Sequence, residues 1–215
     1  MESSAQVVAS DEAAARQAAE QMAAALTREY AVADPGLRVE VTACEVSETP
    51  MDRASTEKAL CMLTCLPNGI QAMSMDIPGL VQTSLNLGIL ATEADSLTAT
   101  FCVRSSLGSQ KEMLHRRLRA LMAQLGGTVS ISGDYPAWEY RQDSPFRDLM
   151  TEIFWEQYGN APQIEAIHAG VECGILAGKL PGLDCVSVGP DLLDIHTPRE
   201  RMDLSLIHIS EPTRH

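Results

Sequence analysis

Two alternating runs, SLNLGIL at 84–90 and LTATFCVR at 97–104, stand on either side of a short acidic turn, ATEADS. Successive side chains of a strand point to opposite faces, so a pair of such runs can bury one face only. In the second run Leu97, Ala99, Phe101 and Val103 go to the core, and Thr98, Thr100, Cys102 and Arg104 go to the other side. The spacing predicts an antiparallel hairpin with a loop of about six residues. The next segment has the pattern of a helix that could cover the apolar face. Leu114, Leu118, Leu121 and Leu125 recur at helical spacing, after an S-x-x-E box at Ser109 and Glu112 and before Gly126-Gly127.

The same logic extends the module in both directions. Ser10, followed by Asp11 and Glu12, is placed to cap an alanine-rich helix that runs to about Tyr30 and stops at ADPG. LRVEVTAC at 37–44 alternates like a half-buried strand, a second helix is expected over 52–66 before PNG, and TVSISGDY at 128–135 reads as a further strand. Helices on one face of a mainly antiparallel sheet give an α+β module over residues 1–138.

After YPAW (135–138) the pattern changes, and a domain boundary is expected near Trp138. Ser144-Pro145 pairs an N-cap with proline at the first helical position, and Phe146, Leu149, Met150, Ile153 and Phe154 then form an apolar stripe up to Gly159. Two apolar segments, QIEAIHA at 163–169 and DCVSVG at 184–189, read as strands around the glycine-rich GVECGILAGKLPG. Strand, glycine turn, helix, strand is the order of an α/β sheet, whose ligands bind at the carboxyl ends of its strands. Gly170, Glu172 and His196 would all lie there. GVECG lacks the strand-GxGxxG context of a nucleotide site. Residues 139–203 are too few for a whole α/β domain and read as the end of one.

Charge and cysteines narrow the function classes. A formal net charge of -13 excludes a nucleic-acid backbone as partner, because binding one needs clustered Lys and Arg. The six cysteines sit inside apolar segments, which predicts reduced, buried thiols of a cytoplasmic protein. Cys61 and Cys65 are four apart, but no second Cys or His pair accompanies them, so core packing is expected there rather than zinc. MESSAQVVASDEAA has neither the basic nor the apolar region of a signal peptide, and no run approaches the ~20 apolar residues of a membrane span. No membrane partner is expected.

Several motifs carry a specific resemblance. PNGI (67–70), GLVQTSLNLGIL (79–90), FCVRSS (101–106), YPAW (135–138), IHAGVECGILAGKLPGLDCVSVGP (167–190) and DIHTPRER (194–201) resemble, in that order, the second half of the aminoacyl-histidine dipeptidases. These are also called cytosol non-specific dipeptidases and are related to the carnosinases. The resemblance implies a zinc peptidase whose α/β catalytic domain is interrupted by a ferredoxin-like lid. Residues 1–138 would be the later part of the lid or dimerisation domain, and 139–203 the C-terminal portion of the catalytic domain. Residues 204–215 do not resemble the family; LSLIHISEPTR reads as a translated sequencing adapter, and the tail is set aside as non-native.

The resemblance also assigns roles. In DIHTP, His196 matches a metal ligand, with Pro198 holding the loop so that a neutral imidazole nitrogen meets the ion. It implies two zinc ions in the intact enzyme, with cobalt or manganese as alternatives, which activate the water that attacks a dipeptide. Arg104 is suited to fork the substrate's terminal carboxylate. Gly170, Glu172 and His168 would line the substrate pocket, with Gly174 beside Gly170 giving backbone N–H groups access to an anion. The further metal ligands and the catalytic glutamate of the family have no counterpart in this sequence, so no catalytic residue is assigned and the chain alone is expected to be inactive. Pairing of lid domains would make the intact enzyme a homodimer. The plain alternatives are a surface loop histidine at 196, a solvated arginine at 104 and a core histidine at 168. For the chain as a whole they are a small-ligand-binding or dimerising α+β module without catalysis, or a structural partner that completes a separate chain.

Overall fold

The computed structural model describes residues 3–45, 49–166, 172–190, 192–195 and 197–202. The chain divides into two units, residues 1–61 and 62–215. The border falls inside helix α2.

In the first unit, helix α1 (Glu12–Glu29) is capped by Asp11 rather than Ser10. The Asp11 carboxylate accepts the N–H of Ala14 at 3.0 Å, leaving Ser10 outside the helix. LRVEVTAC is not a strand. Its Val41 carbonyl accepts from the Arg16 guanidinium at 3.2 Å, and Val39 is 42% exposed. Alternation supplies a face but not a neighbour, and no strand of this unit lies beside it among the described residues. Helix α2 (Arg53–Cys65) starts where Asp52 accepts the N–H of Ser55 at 2.7 Å.

The second unit holds the sheet. Strands β1 (Gly69–Met73), β2 (Val81–Thr92) and β3 (Leu97–Ser105) run antiparallel in the order β1-β2-β3. The hairpin of β2 and β3 forms as the alternation predicts, with a tighter connection: Thr92 pairs with Leu97, and the Glu93 N–H reaches the Ser96 carbonyl at 2.8 Å. Along β3 half-buried and exposed residues alternate without a break. A bulge at Gly88 shifts β2 by one residue, so Leu87 pairs with Phe101 and Ile89 with Thr100. Strand β1 was not anticipated, because GIQAM is short and only loosely alternating. Asn68 accounts for it by accepting the Leu87 N–H at 2.9 Å, which ties the PNG turn to β2.

Helix α3 (Gly108–Leu125) covers the apolar face of the sheet. Leu114 and Leu118 meet Leu85 in the buried cluster, with Leu66, Phe101, Val103 and Val129 packed around it. The capping box at Ser109 and Glu112 does not form, since the helix starts at Gly108 with Leu107 in the cap position, two residues before Ser109. Ser105 Oγ accepts the Leu107 N–H at 3.1 Å, and Glu112 turns to Arg116 at 2.9 Å. The Arg116 guanidinium holds the Glu112 carboxyl below its usual range. Gly126 closes the helix at φ 79°, as its sequence position suggests. Thr83, fully buried, shares a hydrogen bond with Ser105 Oγ at 2.9 Å and donates to Gln110. Gln110 donates in turn to Gln82 at 3.1 Å.

Beyond the sheet, TVSISGDY, DCVSVG and residues 163–166 of QIEAIHA are not strands. None of them pairs with a strand among the described residues, and Val188 is 74% exposed. Helix α4 (Pro145–Tyr158) forms from its Ser-Pro start to Gly159, yet it buries no residue, and Leu149 of its apolar stripe is 50% exposed. Helix α5 (Glu172–Lys179) is followed by two-residue strands β4 (Leu192–Leu193) and β5 (Arg201–Met202), which pair antiparallel. The fold is mixed, with helices and antiparallel strands as expected of α+β. None of the described helices is long and apolar enough to cross a membrane.

Candidate functional site

Arg104 lies near the end of β3, opposite Ser84 of β2. Its face of the hairpin carries Asn86, Ile89, Ala91, Thr98, Thr100 and Cys102, and the residues along β3 on this face are exposed. Arg104 enters no ion pair among the described residues. An extended strand holds its Cα, and the side chain projects from an exposed face of the hairpin. A guanidinium so placed offers its fork of N–H donors to a carboxylate from outside the chain.

The second group of expected residues centres on α5. Glu172 opens the helix and is exposed. Gly174 has a different part from the expected one. It is buried, and a Cβ there would come within 3.2 Å of the Pro136 carbonyl and 3.3 Å of Trp138 Cβ. One turn on, a Cβ at Gly178 would lie 2.6 Å from Pro136 Cγ. The two glycines thus form a side-chain-free stripe on which the YPAW segment rests. Lys111 also holds this stretch of chain, meeting Asp134 at 2.6 Å and donating to the Tyr135 carbonyl. His168 and Gly170 lie outside the described residues.

His196 also lies outside the described residues. Its neighbours are held in a tight loop. Thr197 donates from N and Oγ1 to the Asp194 carbonyl, at 3.2 and 2.7 Å, and accepts the Arg199 N–H at 3.2 Å. Asp194 has φ 54°, a left-handed conformation that aspartate tolerates better than most residues, and its carboxylate faces Arg201 at 3.5 Å. No hydrogen bond or ion pair joins Arg104, Glu172 and this loop to one another among the described residues. Nor do three or more His, Cys, Asp or Glu come together there to hold a metal ion. The described residues therefore do not by themselves make a metal site.

The cysteines depart from expectation. Cys44, Cys61, Cys65 and Cys102 are exposed, and Cys173 and Cys185 are half-buried. Apolar neighbours in sequence do not bury a thiol whose own position faces outward, as the alternation of β3 already shows for Cys102.

One residue that organises this region was not found from sequence. Asp184 accepts the Ser144 hydroxyl at 2.6 Å and the Phe146 N–H at 2.9 Å, while Ser144 Oγ accepts the Arg147 N–H at 3.2 Å. The start of α4 is therefore capped twice. Ser144-Pro145 signalled the cap, but a partner forty positions away in sequence leaves no local trace. The Ser144 hydroxyl, and after it the Phe146 N–H, hold the Asp184 carboxyl below its usual range. A group lowered on folding stabilises fully above its unfolded value, and the stabilisation is lost as pH falls through the folded value. Thermal midpoints measured from pH 7 to 3 should therefore drop more steeply below about pH 4 in the wild type than in Asp184→Asn. Parallel curves would remove this carboxylate from the acid transition.

No family model matches the chain. Over 146 residues, 68% of its length, it is 31% identical to the cytosol non-specific dipeptidase of Escherichia coli (strain K12), of which it covers 30%. The crystal structure of aminoacylhistidine dipeptidase from Vibrio alginolyticus superposes on 86% of the chain and 38% of that protein, with a TM-score of 0.73 and 28% identity. The chain thus spans less than two-fifths of the length of either relative.

Proposed function

We propose, since this chain is aminoacyl-histidine dipeptidase-like, that the whole protein containing it hydrolyses dipeptides and that the chain supplies the part of the enzyme that measures substrate length. The observation that carries this reading is Arg104, an arginine that enters no ion pair among the described residues, on the exposed face of the hairpin and inside the FCVRSS motif. A dipeptide's free carboxylate lies one residue beyond the scissile bond. A guanidinium at a fixed distance from the reacting centre would accept dipeptides and reject longer chains, in which that carboxylate is displaced.

In this reading residues 1–138 are the later part of a lid and 139–203 close the catalytic domain. His196 is the metal ligand the chain contributes, and Glu172, Gly170 and His168 border the substrate. The metal is zinc, with cobalt or manganese as substitutes, and its other ligands come from outside this chain. Hydrolysis by the 215-residue chain alone is not expected. A cytosolic location rests on the name of the bacterial relative, and homodimerisation on the lid assignment.

The test is made in the full-length enzyme. Arg104→Ala should lower kcat/KM at least tenfold, since charge-assisted hydrogen bonds contribute on the order of 1.5–3 kcal/mol, with circular dichroism unchanged. Arg104→Lys keeps the charge without the fork and should be milder. Normal kinetics in the alanine variant would return Arg104 to a solvated arginine. A small polar sheet face could also serve a binding module without catalysis; that alternative predicts ligand binding by the full-length protein with no hydrolysis of any dipeptide.

A further inference from the structure

Cys173 and Cys185 are twelve residues apart, and the Cys185 sulfur lies 3.9 Å from the Cys173 carbonyl oxygen. Both are half-buried, unlike the other four thiols, and neither is in a disulfide. Each is carried on anchored backbone. Cys173 is in the first turn of α5, immediately before Gly174, which is packed on Pro136 and Trp138. Cys185 follows Asp184, which is fixed to Ser144 and Phe146. Nearby, the Arg141 guanidinium reaches the Gly182 carbonyl at 3.1 Å, holding the chain as it approaches Cys185. Neither sulfur therefore has to be brought from a distant or unrestrained segment.

From this juxtaposition we infer that Cys173 and Cys185 form a thiol pair that a hydroperoxide converts to a reversible disulfide. One sulfur, as thiolate, attacks the O–O bond, becomes a sulfenic acid and releases hydroxide, or an alkoxide from an organic hydroperoxide. The second sulfur displaces the sulfenic hydroxyl, which leaves as water, and the S–S bond forms. The pair loses two electrons and the peroxide bond gains them. A dithiol reverses the step by exchange through a mixed disulfide. Burial, and after it the neighbouring Cys173, keep the Cys185 thiol protonated to higher pH than an ordinary cysteine. Whichever sulfur meets the oxidant, the other resolves it. The bond would clamp the start of α5 to the segment beginning at Asp184. This inference does not depend on the dipeptidase reading.

The full 215-residue chain is treated with hydrogen peroxide, its remaining thiols are alkylated under denaturing conditions, and it is digested with trypsin. The peptides 148–179 and 180–199 should be recovered as one species that dithiothreitol separates, and the reactive thiol count should fall from six to four. Cys185→Ser and Cys173→Ser should each abolish the link, and in at least one of them the remaining sulfur of the pair should be left as a sulfenic acid that dimedone traps. Recovery of the two peptides unlinked and alkylated, at peroxide levels that oxidise the exposed cysteines, would overturn the inference. So would a disulfide that joins either of them to Cys44, Cys61, Cys65 or Cys102 instead.

Discussion

Leu114→Ala should cost about 2–5 kcal/mol of stability, the range for emptying a fully buried leucine site. Leu114 has no exposed surface and sits between Leu85 and Leu118, with Leu66, Phe101, Val103 and Val129 around them. Among the described residues only Met62, Leu85, Leu114 and Leu118 are buried hydrophobics. A core with so few fully buried side chains has little left to hold α3 on the sheet once its central one is truncated. The lost methyl groups remove transfer free energy, and the cavity adds to the penalty because helix and strand cannot both move inward. Urea unfolding followed by circular dichroism measures the loss directly. Leu114→Met, which nearly conserves volume, should stay within about 1.5 kcal/mol of wild type. An alanine variant as stable as the methionine one would mean that α3 is not held through this cluster.

The other large effect is expected at His196, in the full-length enzyme. On the proposed reading the histidine holds one ion, and the remaining ligands come from elsewhere in the protein. His196→Ala should lower bound metal per protein and reduce turnover by roughly 100-fold or more, beyond the 10–100-fold typical of losing a residue that only supports a ligand. The lesion should be local. Asp194, Thr197 and Arg199 already shape the loop through their own hydrogen bonds, so far-ultraviolet circular dichroism should not change. Metal analysis separates two failures. Unchanged metal with normal turnover would make His196 a loop histidine, whereas unchanged metal with lost turnover would place it at the substrate.

The hairpin and its covering helix were legible because both rest on local periodicity. Side chains of β3 alternate between half-buried and exposed as LTATFCVR requires, and Arg104 faces outward for that reason alone. Helix limits were legible to within a residue or two where a cap lies next to the helix, as at Asp52 and Ser144. They failed where two candidates compete, as at Ser10 and Asp11, or where the helix starts without a side-chain cap, as α3 does after Leu107. The strands expected at 37–44, 128–135 and 184–189 show what alternation lacks. A strand exists by pairing, and the neighbour is not written in its own sequence. For the site, sequence put Arg104 on an exposed strand face, as the structure has it, but misread Gly174, because a glycine that frees backbone for an anion and one that admits a packed Pro136 and Trp138 look alike before the partner is known.

The buried hydroxyl of Thr83 bears on how the chain avoids misfolding. A strict two-residue alternation excludes a slip of the hairpin by one position, because that would turn every apolar side chain to water. It does not exclude a slip by two, in which Leu85 and Leu87 simply exchange partners on the same face. Thr83 breaks that degeneracy. Only in the observed pairing does it stand across from Ser105 and within reach of Gln110. Shifted by two, it would face Val103 or the residue beyond β3, leaving a sealed-off hydroxyl without a partner at a cost of about 1–3 kcal/mol. That difference is a factor of roughly 5 to 150 in population. The apolar residues thus choose the face of the sheet, and one threonine chooses which of the same-face alignments the chain keeps.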